Sequence, residues 1–167
     1  MTKEERIQLA VDAAIETHIK YSVCGRSAMY GLSKAFNFIP EEFITASMSL
    51  SGGGGGGYGS CGAFSSALMA AGLKYNPTME EQDKDPALFL PAQQKFSELR
   101  DRFKKEFGTI LCPEIHMQLF GRTFDFTDPD EFAYYMNMEG RREKCAQTVA
   151  RAVRLTCEML MEDEPEE

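Results

Sequence analysis

The sequence lacks any apolar run near the roughly 20 residues that a membrane-spanning helix needs, so we expect no membrane insertion. Its N-terminus, MTKEERIQ, is charged and has no apolar signal-peptide core, which predicts a cytoplasmic location. Basic residues are fewer than acidic residues, so the 167 residues carry a formal net charge of −8. Phosphate binding requires clustered Lys and Arg, so we expect no nucleic-acid partner.

Several local motifs are also missing. None of the cysteines lies in a C-x-x-C pair, which removes the usual signature of zinc ribbons and thioredoxins. No Lys-Ser or Lys-Thr follows the glycine run at residues 52–57, so a Walker loop is excluded. The run satisfies G-x-G-x-x-G trivially, but a dinucleotide site also needs a preceding strand and a βαβ unit. The sequence predicts neither a strand before the glycines nor a βαβ unit around them.

Helical periodicity accounts for most of the chain, and only residues 41–50 leave a choice between a short helix and a strand. The clearest predicted helices cover residues 3–20, 22–36, a stretch from the glycine run to Gly72, a long stretch ending before Gly108, and residues 140–162. Residues 76–92 are predicted to be mostly surface connection. We therefore predict an all-α, single compact domain of about six helices over residues 1–160, with a glycine-rich loop before a central helix. The acidic residues 161–167 are predicted to form a disordered tail.

The chain has five cysteines, which in a reducing compartment are expected to be metal ligands, redox groups or core residues rather than disulfides. Cys61 and Cys112 fall in the first turns of predicted helices. Unpaired N–H groups and the helix dipole there lower the pKa of a thiol, so these two are the candidate catalytic residues. Cys157 lies on the apolar stripe of the last helix and is predicted to be a buried core thiol.

The glycine run invites two interpretations. It could be a flexible linker, but its flanks, FITASMSL and CGAFSSALMAAGL, are apolar and show no change in composition. The alternative is a functional loop whose backbone, free of side chains, lies directly against the Cys61 sulfur or a ligand beside it. On this hypothesis Gly55, Gly56, Gly57 and Gly59 are cofactor-binding residues, some with φ > 0 and with N–H groups directed into the cysteine pocket.

The order of these features resembles that of the C…GCAxxG…C…C family of small redox-active proteins. The residues that carry the resemblance are Cys24, the glycine loop running into Cys61, Gly62 and Ala63, Cys112 within FGTILCPEI, and Cys145 within REKCAQTVARAV. It spans roughly residues 20–160. The central motif departs from the family pattern, because Ser60 precedes the cysteine and Gly62 separates it from Ala63. The closing glycine of the motif falls on Ser65 or Ser66.

The resemblance implies a redox-active domain in which Cys24, Cys61, Cys112 and Cys145 converge on one site. Four thiolates suit an iron–sulfur cluster or another thiolate-ligated metal. Family members resemble a domain of split-Soret cytochrome c, a dimeric haem protein, so a homodimer and an unidentified redox partner are implied as partners. This chain has no C-x-x-C-H haem attachment site, and haem is therefore not expected.

Two alternatives stay open beside the metal centre. The first is a metal-free dithiol–disulfide protein in which Cys61 attacks and a second cysteine resolves the mixed disulfide. The second is a helical interaction protein with buried thiols. His116, one helical turn after Cys112, is a candidate base or ligand, although a partly exposed histidine is the commoner case. Tyr58 and Arg26 are candidates for lining the site. No general base is arranged with a substrate pocket, so the sequence assigns no enzyme class.

Overall fold

The computed structural model describes residues 1–164, and within this range the chain is helical without a named strand. The α-helices are α1 (Lys3–Tyr21), α2 (Cys24–Ala35), α3 (Glu41–Ala46), α4 (Gly62–Tyr75), α5 (Met79–Lys84), α6 (Phe89–Phe107), α7 (Cys112–Phe120), α8 (Pro129–Asn137) and α9 (Arg141–Leu160). Short 3₁₀ turns cover Ser47–Leu50 and Pro86–Leu88. The predicted all-α class is confirmed. No helix in this range combines the length and apolar character needed to cross a bilayer.

The helices are more numerous than the predicted six or so. Residues 41–50 are helical rather than extended, as α3 and the 3₁₀ turn after it. The predicted connection at residues 76–92 contains α5, a 3₁₀ turn and the first residues of α6. Helix α5 begins with a capping box in which the side chains of Thr78 and Glu81 accept each other's backbone N–H. The capping-box residues can be recognised in the sequence. The segment after them is short and charged and has no apolar periodicity, so periodicity does not predict a helix there.

The α1–α2 pair depends on the small residues of α2. A Cβ added to Gly31 would lie 2.5 Å from the Ala10 carbonyl oxygen and 2.6 Å from Ala14 Cβ. Helix α2 therefore approaches α1 more closely than any residue with a side chain would permit. The small residues Ala28, Gly31 and Ala35 recur along α2 at helical spacing, a sequence pattern that permits such a close contact.

The core lies between α1, α2, α4 and α9, with α6 packed against α4 and α9. Helix α9 contributes the longest buried stripe, which includes Val149, Val153, Cys157 and Leu160. Cys157 has 0% exposed surface and lies within the hydrophobic core cluster. Its predicted role as a buried core thiol is confirmed.

The C-terminal end is packed further than the predicted boundary at residue 160. Met161 is buried. The Glu164 carboxylate pairs with Arg6 at 2.6 Å, and the Glu164 backbone carbonyl accepts from Lys3 Nζ at 2.6 Å. In the first part of the predicted disordered tail, Met161 is therefore packed inside the protein and Glu164 is held against α1. The rest, residues 165–167, lies outside the described residues.

Candidate functional site

Four cysteines from four separate helix regions line one cavity of about 30 Å³. Cys24 is the first residue of α2, Cys61 is the N-cap of α4, Cys112 is the first residue of α7, and Cys145 lies on α9. The remaining walls are mostly apolar and come from Ile115, His116, Leu119, Thr148 and Val149. The structure thus brings together the four cysteines that the sequence singled out.

Backbone hydrogen bonds hold two of these cysteines side by side. Ser60 and Leu111 form an isolated antiparallel bridge between the glycine loop and the start of α7. The Cys61 N–H donates to the Ile110 carbonyl at 2.7 Å, and the Cys112 N–H donates to the Gly59 carbonyl at 2.8 Å. Cys61 is the N-cap of α4, which begins at Gly62, whereas Ser60 belongs to the bridge.

Gly62 allows Cys24 to reach the cavity. A Cβ at this position would lie 2.7 Å from Cys24 Sγ and 2.6 Å from the Leu50 carbonyl oxygen. The departure from the family pattern at Gly62 thus has a steric reason. Ser66, near the predicted site of the closing glycine, is buried and donates its hydroxyl to the Gly25 carbonyl at 2.8 Å.

The protonation of Cys61 is opposite to the expectation from its helix position. The N–H groups of Ala63 and Phe64 hydrogen-bond the thiol and lower its pKa, as a helix start predicts. Burial has the larger effect, and together with the neighbouring Cys24 it raises the pKa of Cys61 to about 12. Burial also raises the pKa of Cys112 and of Cys145, the latter to about 11. Without a compensating positive charge, these three thiols are protonated at neutral pH.

His116 joins the site instead of being partly exposed. It is 5% exposed, and its Nε2 lies 3.8 Å from Cys112 Sγ and 3.9 Å from Cys145 Sγ. Its Nδ1 lies 2.8 Å from the Tyr58 hydroxyl. Burial, followed by the charge of Arg141, lowers the pKa of His116 to about 4. The ring is therefore neutral at pH 7. It carries a single N–H. In one tautomer this N–H is on Nε2 and faces the sulfurs, and in the other it is on Nδ1 and faces the Tyr58 hydroxyl.

Other residues around the site were missed by the sequence reasoning. The Tyr135 hydroxyl lies 3.7 Å from Cys145 Sγ, and its ring stacks on His116 at 5.2 Å between centroids. Phe120, Phe124 and Phe126 also pack around His116. The aromatic density of residues 120–135 is the signal that could have found this cluster. Tyr58 contacts the site as expected, whereas Arg26 lines a different cleft, between α1, α2 and α3.

The glycine loop has the predicted backbone but not the predicted hydrogen bonds. Gly52 to Gly56 all have φ between 57° and 88°, a left-handed turn that residues with side chains enter only at a cost. The N–H groups of residues 54–59 donate to carbonyl oxygens of residues 49–54, within the loop itself. They do not point at the Cys61 sulfur. The expectation that Gly55, Gly56, Gly57 and Gly59 direct N–H groups into the cysteine pocket is therefore wrong.

The loop instead forms one wall of a larger outer cleft of about 560 Å³. Gly55, Gly56 and Gly57 line this cleft, whereas Gly59 does not. Cys24, Cys112 and Cys145 line both the cleft and the small cavity, and Cys61 lines the small cavity alone. The cleft thus leads from solvent to the thiols, with Cys61 at the inner end.

The four thiols match a metal centre in the kind of donor they supply. Soft thiolates in fourfold number suit zinc or an iron–sulfur cluster, and a bound cation would supply the positive charge that deprotonation requires. As the side chains are placed, no three metal-ligating residues within residues 1–164 lie close enough together to hold an ion. Binding would therefore require the ligating side chains to move closer together.

A second buried histidine, His18, borders the outer cleft, and we predict that it makes the protein sensitive to acid. Burial, followed by the charges of Arg141 and Arg142, lowers its pKa to about 4 from 6.5. Between these pH values the folded chain thus binds fewer protons than the unfolded chain. The contribution of His18 to the free energy of unfolding is therefore full above pH 6.5 and decreases as the pH falls toward 4. The shift corresponds to about 3 kcal/mol.

Urea unfolding at pH 7 and pH 4 measures this effect. His18→Phe removes the titration without removing a hydrogen bond, because neither ring nitrogen of His18 has a partner among the described residues. From pH 7 to pH 4, the free energy of unfolding of the variant should fall by about 3 kcal/mol less than that of the wild type. An equal loss in both proteins would show that His18 does not contribute to acid unfolding.

Comparison with known proteins points to one family. The family model described as "Putative redox-active protein (C_GCAxxG_C_C)" matches residues 22–159. This range contains all four cysteines of the small cavity. Neither the search of curated proteins nor the search of solved structures returned a match.

Proposed function

The chain belongs to the C_GCAxxG_C_C family of redox-active proteins, and from this premise we propose that its reactive centre is the four-cysteine cavity. The observation that carries the proposal is the meeting of Cys24, Cys61, Cys112 and Cys145 around one cavity, although they come from four separate helix regions. An interaction protein with incidental core thiols would not require this convergence. Cys157 lies in the core as such a thiol does.

We propose further that the four thiols hold an iron–sulfur cluster or another thiolate-ligated metal. A dithiol exchange needs only two cysteines, whereas four thiols around one cavity match the full ligand set of such a centre. A bound cluster would supply one-electron redox chemistry at this position. Its ligands would be Cys24, Cys61, Cys112 and Cys145.

The surrounding residues perform separate tasks in this proposal. Ile115, Leu119 and Val149 exclude water from the sulfurs. The N–H groups of Ala63 and Phe64 stabilise negative charge on Cys61, and such hydrogen bonds to sulfur tune the potential of a thiolate-bound centre. The neutral ring of His116 can donate its N–H at Nε2 to the sulfurs of Cys112 and Cys145 and so stabilise negative charge on them.

The test is the visible spectrum and elemental content of the protein purified without oxygen. We expect charge-transfer absorption in the visible range, together with iron and acid-labile sulfide in matching amounts. Zinc without visible absorption would assign the site to a different thiolate-ligated metal. Protein that is folded, colourless and metal-free, even after anaerobic reconstitution with iron and sulfide, would rule out the metal centre.

A metal-free dithiol protein is the second candidate, and two observations favour it. Within residues 1–164 no three ligating side chains are close enough to hold an ion as placed. In addition, Cys24 is half-buried and lines the open cleft, where a disulfide partner could reach it. Two thiols of the site would lose two protons and two electrons and form a disulfide, while the partner's disulfide is reduced to two thiols.

Mass spectrometry distinguishes this candidate. Metal-free protein treated with oxidised glutathione should lose the mass of two hydrogens reversibly, and peptide mapping should place the bond between two of the four site cysteines. A bond involving Cys157, or no change in mass, would exclude it.

We also propose a cytoplasmic location, which the five free thiols support because reducing compartments keep thiols unpaired. A homodimer and a separate redox partner stay predictions from the sequence.

A further inference from the structure

Arg141 is a buried cation without an anionic partner among the described residues. It is 2% exposed and is the first residue of α9. The helix dipole disfavours a positive charge at this end. Its guanidinium donates to the Ser22 hydroxyl and to the Met136 carbonyl at 3.3 Å. Its Nε has no partner within residues 1–164. Buried charges are ordinarily paired, so this arrangement is incomplete as it stands.

A second buried polar group beside it is also unsatisfied. His18 is 3% exposed, and neither of its ring nitrogens has a hydrogen-bond partner in the described part of the chain. Arg141 is near enough to lower the pKa of His18 by its charge. Both side chains line the outer cleft. Two unsatisfied groups, both more than nine-tenths buried, therefore border the same space.

The cleft itself has the size and lining of a small-molecule site. Its volume of about 560 Å³ lies within the usual range for organic ligands. Phe126, Phe132, Tyr135 and Met136 give it apolar faces. The guanidinium of Arg141 lies 4.8 Å from the centre of the Tyr135 ring, so charge and aromatic surface are adjacent. Nothing lies within 4 Å of where a Cβ would stand at Gly55 or Gly56, so the glycine wall leaves this space open.

We propose that the outer cleft binds an organic anion, with its carboxylate or phosphate group on Arg141. The unpartnered ring of His18 supplies a second hydrogen bond, and the apolar body of the ligand lies against Tyr135 and Phe132. Arg favours such groups because its planar fork matches two oxygens at once. The bound molecule lies beside Cys24 and Cys145, which line the same cleft. The proposal goes beyond the redox centre, since it requires neither a metal nor a disulfide.

The experiment is a titration of ¹⁵N-labelled native protein followed by NMR. The probes are benzoate and phenyl phosphate, with benzamide as the neutral isostere of benzoate. At least one anion should shift the amide signals of Gly55, Gly56 and Gly57, and benzamide should bind about tenfold more weakly or not at all. Comparison of the two anions shows whether the site prefers a carboxylate or a phosphate. The proposal is wrong if benzoate and benzamide bind equally and phenyl phosphate gives no shifts, or if none of the probes binds.

Matched variants locate the charge that is responsible. Arg141→Gln should weaken anion binding about tenfold or more, while Arg142→Gln, an exposed change at the next position, should leave it unchanged. Equal weakening in both variants would overturn the assignment. If Arg141→Gln does not fold, Arg141→Lys replaces it and should weaken binding by losing the two-oxygen contact.

A Cys61→Ser variant separates this proposal from the redox centre. Cys61 does not line the outer cleft, so anion binding should persist in that variant whether or not the protein holds a metal. Loss of anion binding in folded Cys61→Ser protein would show that the subsite depends on the centre, against the proposal.

Discussion

Cys61→Ser should abolish visible absorption and bound metal together, leaving less than about a tenth of the wild-type content. Cys61 lies at the inner end of the site, where it lines the small cavity but not the outer cleft. A hydroxyl is a poor ligand for the soft metals that thiolates select. Within residues 1–164, Cys157 is the one further cysteine, and it does not line the cavity and so cannot replace Cys61.

Cys157→Ala is the matched control. It removes a buried thiol with 0% exposure from α9, so it lowers stability but should leave metal content and spectrum unchanged. Circular dichroism melting confirms that both variants are folded before the metal is measured. If Cys61→Ser retains the wild-type spectrum and metal, or if Cys157→Ala loses them to the same extent, the centre is not at the four-cysteine cavity.

Gly53→Ala should destabilise the protein by about 3 kcal/mol, far more than alanine elsewhere in the glycine run. Gly53 has φ of 79°, and a Cβ there would lie 2.3 Å from the Gly59 nitrogen and 2.7 Å from the Tyr58 carbonyl carbon. Both contacts are with backbone, so relief requires the loop to open. Its N–H···O bonds, such as Gly59 N to Gly53 O at 3.0 Å, would then be strained.

Gly55→Ala tests the conformational part of this cost alone. Gly55 also has positive φ, 57°, but nothing lies within 4 Å of its added Cβ. Its cost should therefore be about 1 kcal/mol, the ordinary penalty of the left-handed region. Urea unfolding at pH 7 measures both variants. Small and equal effects at the two positions would mean that the run is the flexible linker of the first interpretation.

The sequence by itself determined the elements whose cause is local. Apolar periodicity defined the long helices, and the small residues of the second helix marked a face that allows close packing. The six glycines predicted a backbone with positive φ, because few other residues enter it readily, and five of the six adopt it. The resemblance to the family, carried by the order of the cysteines, implied the four that line one cavity. None of these conclusions required knowledge of which helices are neighbours.

The tertiary structure decided the properties that depend on burial and on distant partners. The helix start favours the Cys61 thiolate, but the desolvation that raises its pKa comes from groups remote in sequence. The glycine N–H groups bond within the loop because its turn closes on itself. His116 becomes part of the site because aromatic residues of α8 and of the segment before it cover the ring. The sequence shows Arg141 only as a cation at the start of a helix. Folding buries it beside a cleft, where it has no carboxylate partner within residues 1–164. Solvent exclusion is a property of the packed chain and not of the local sequence.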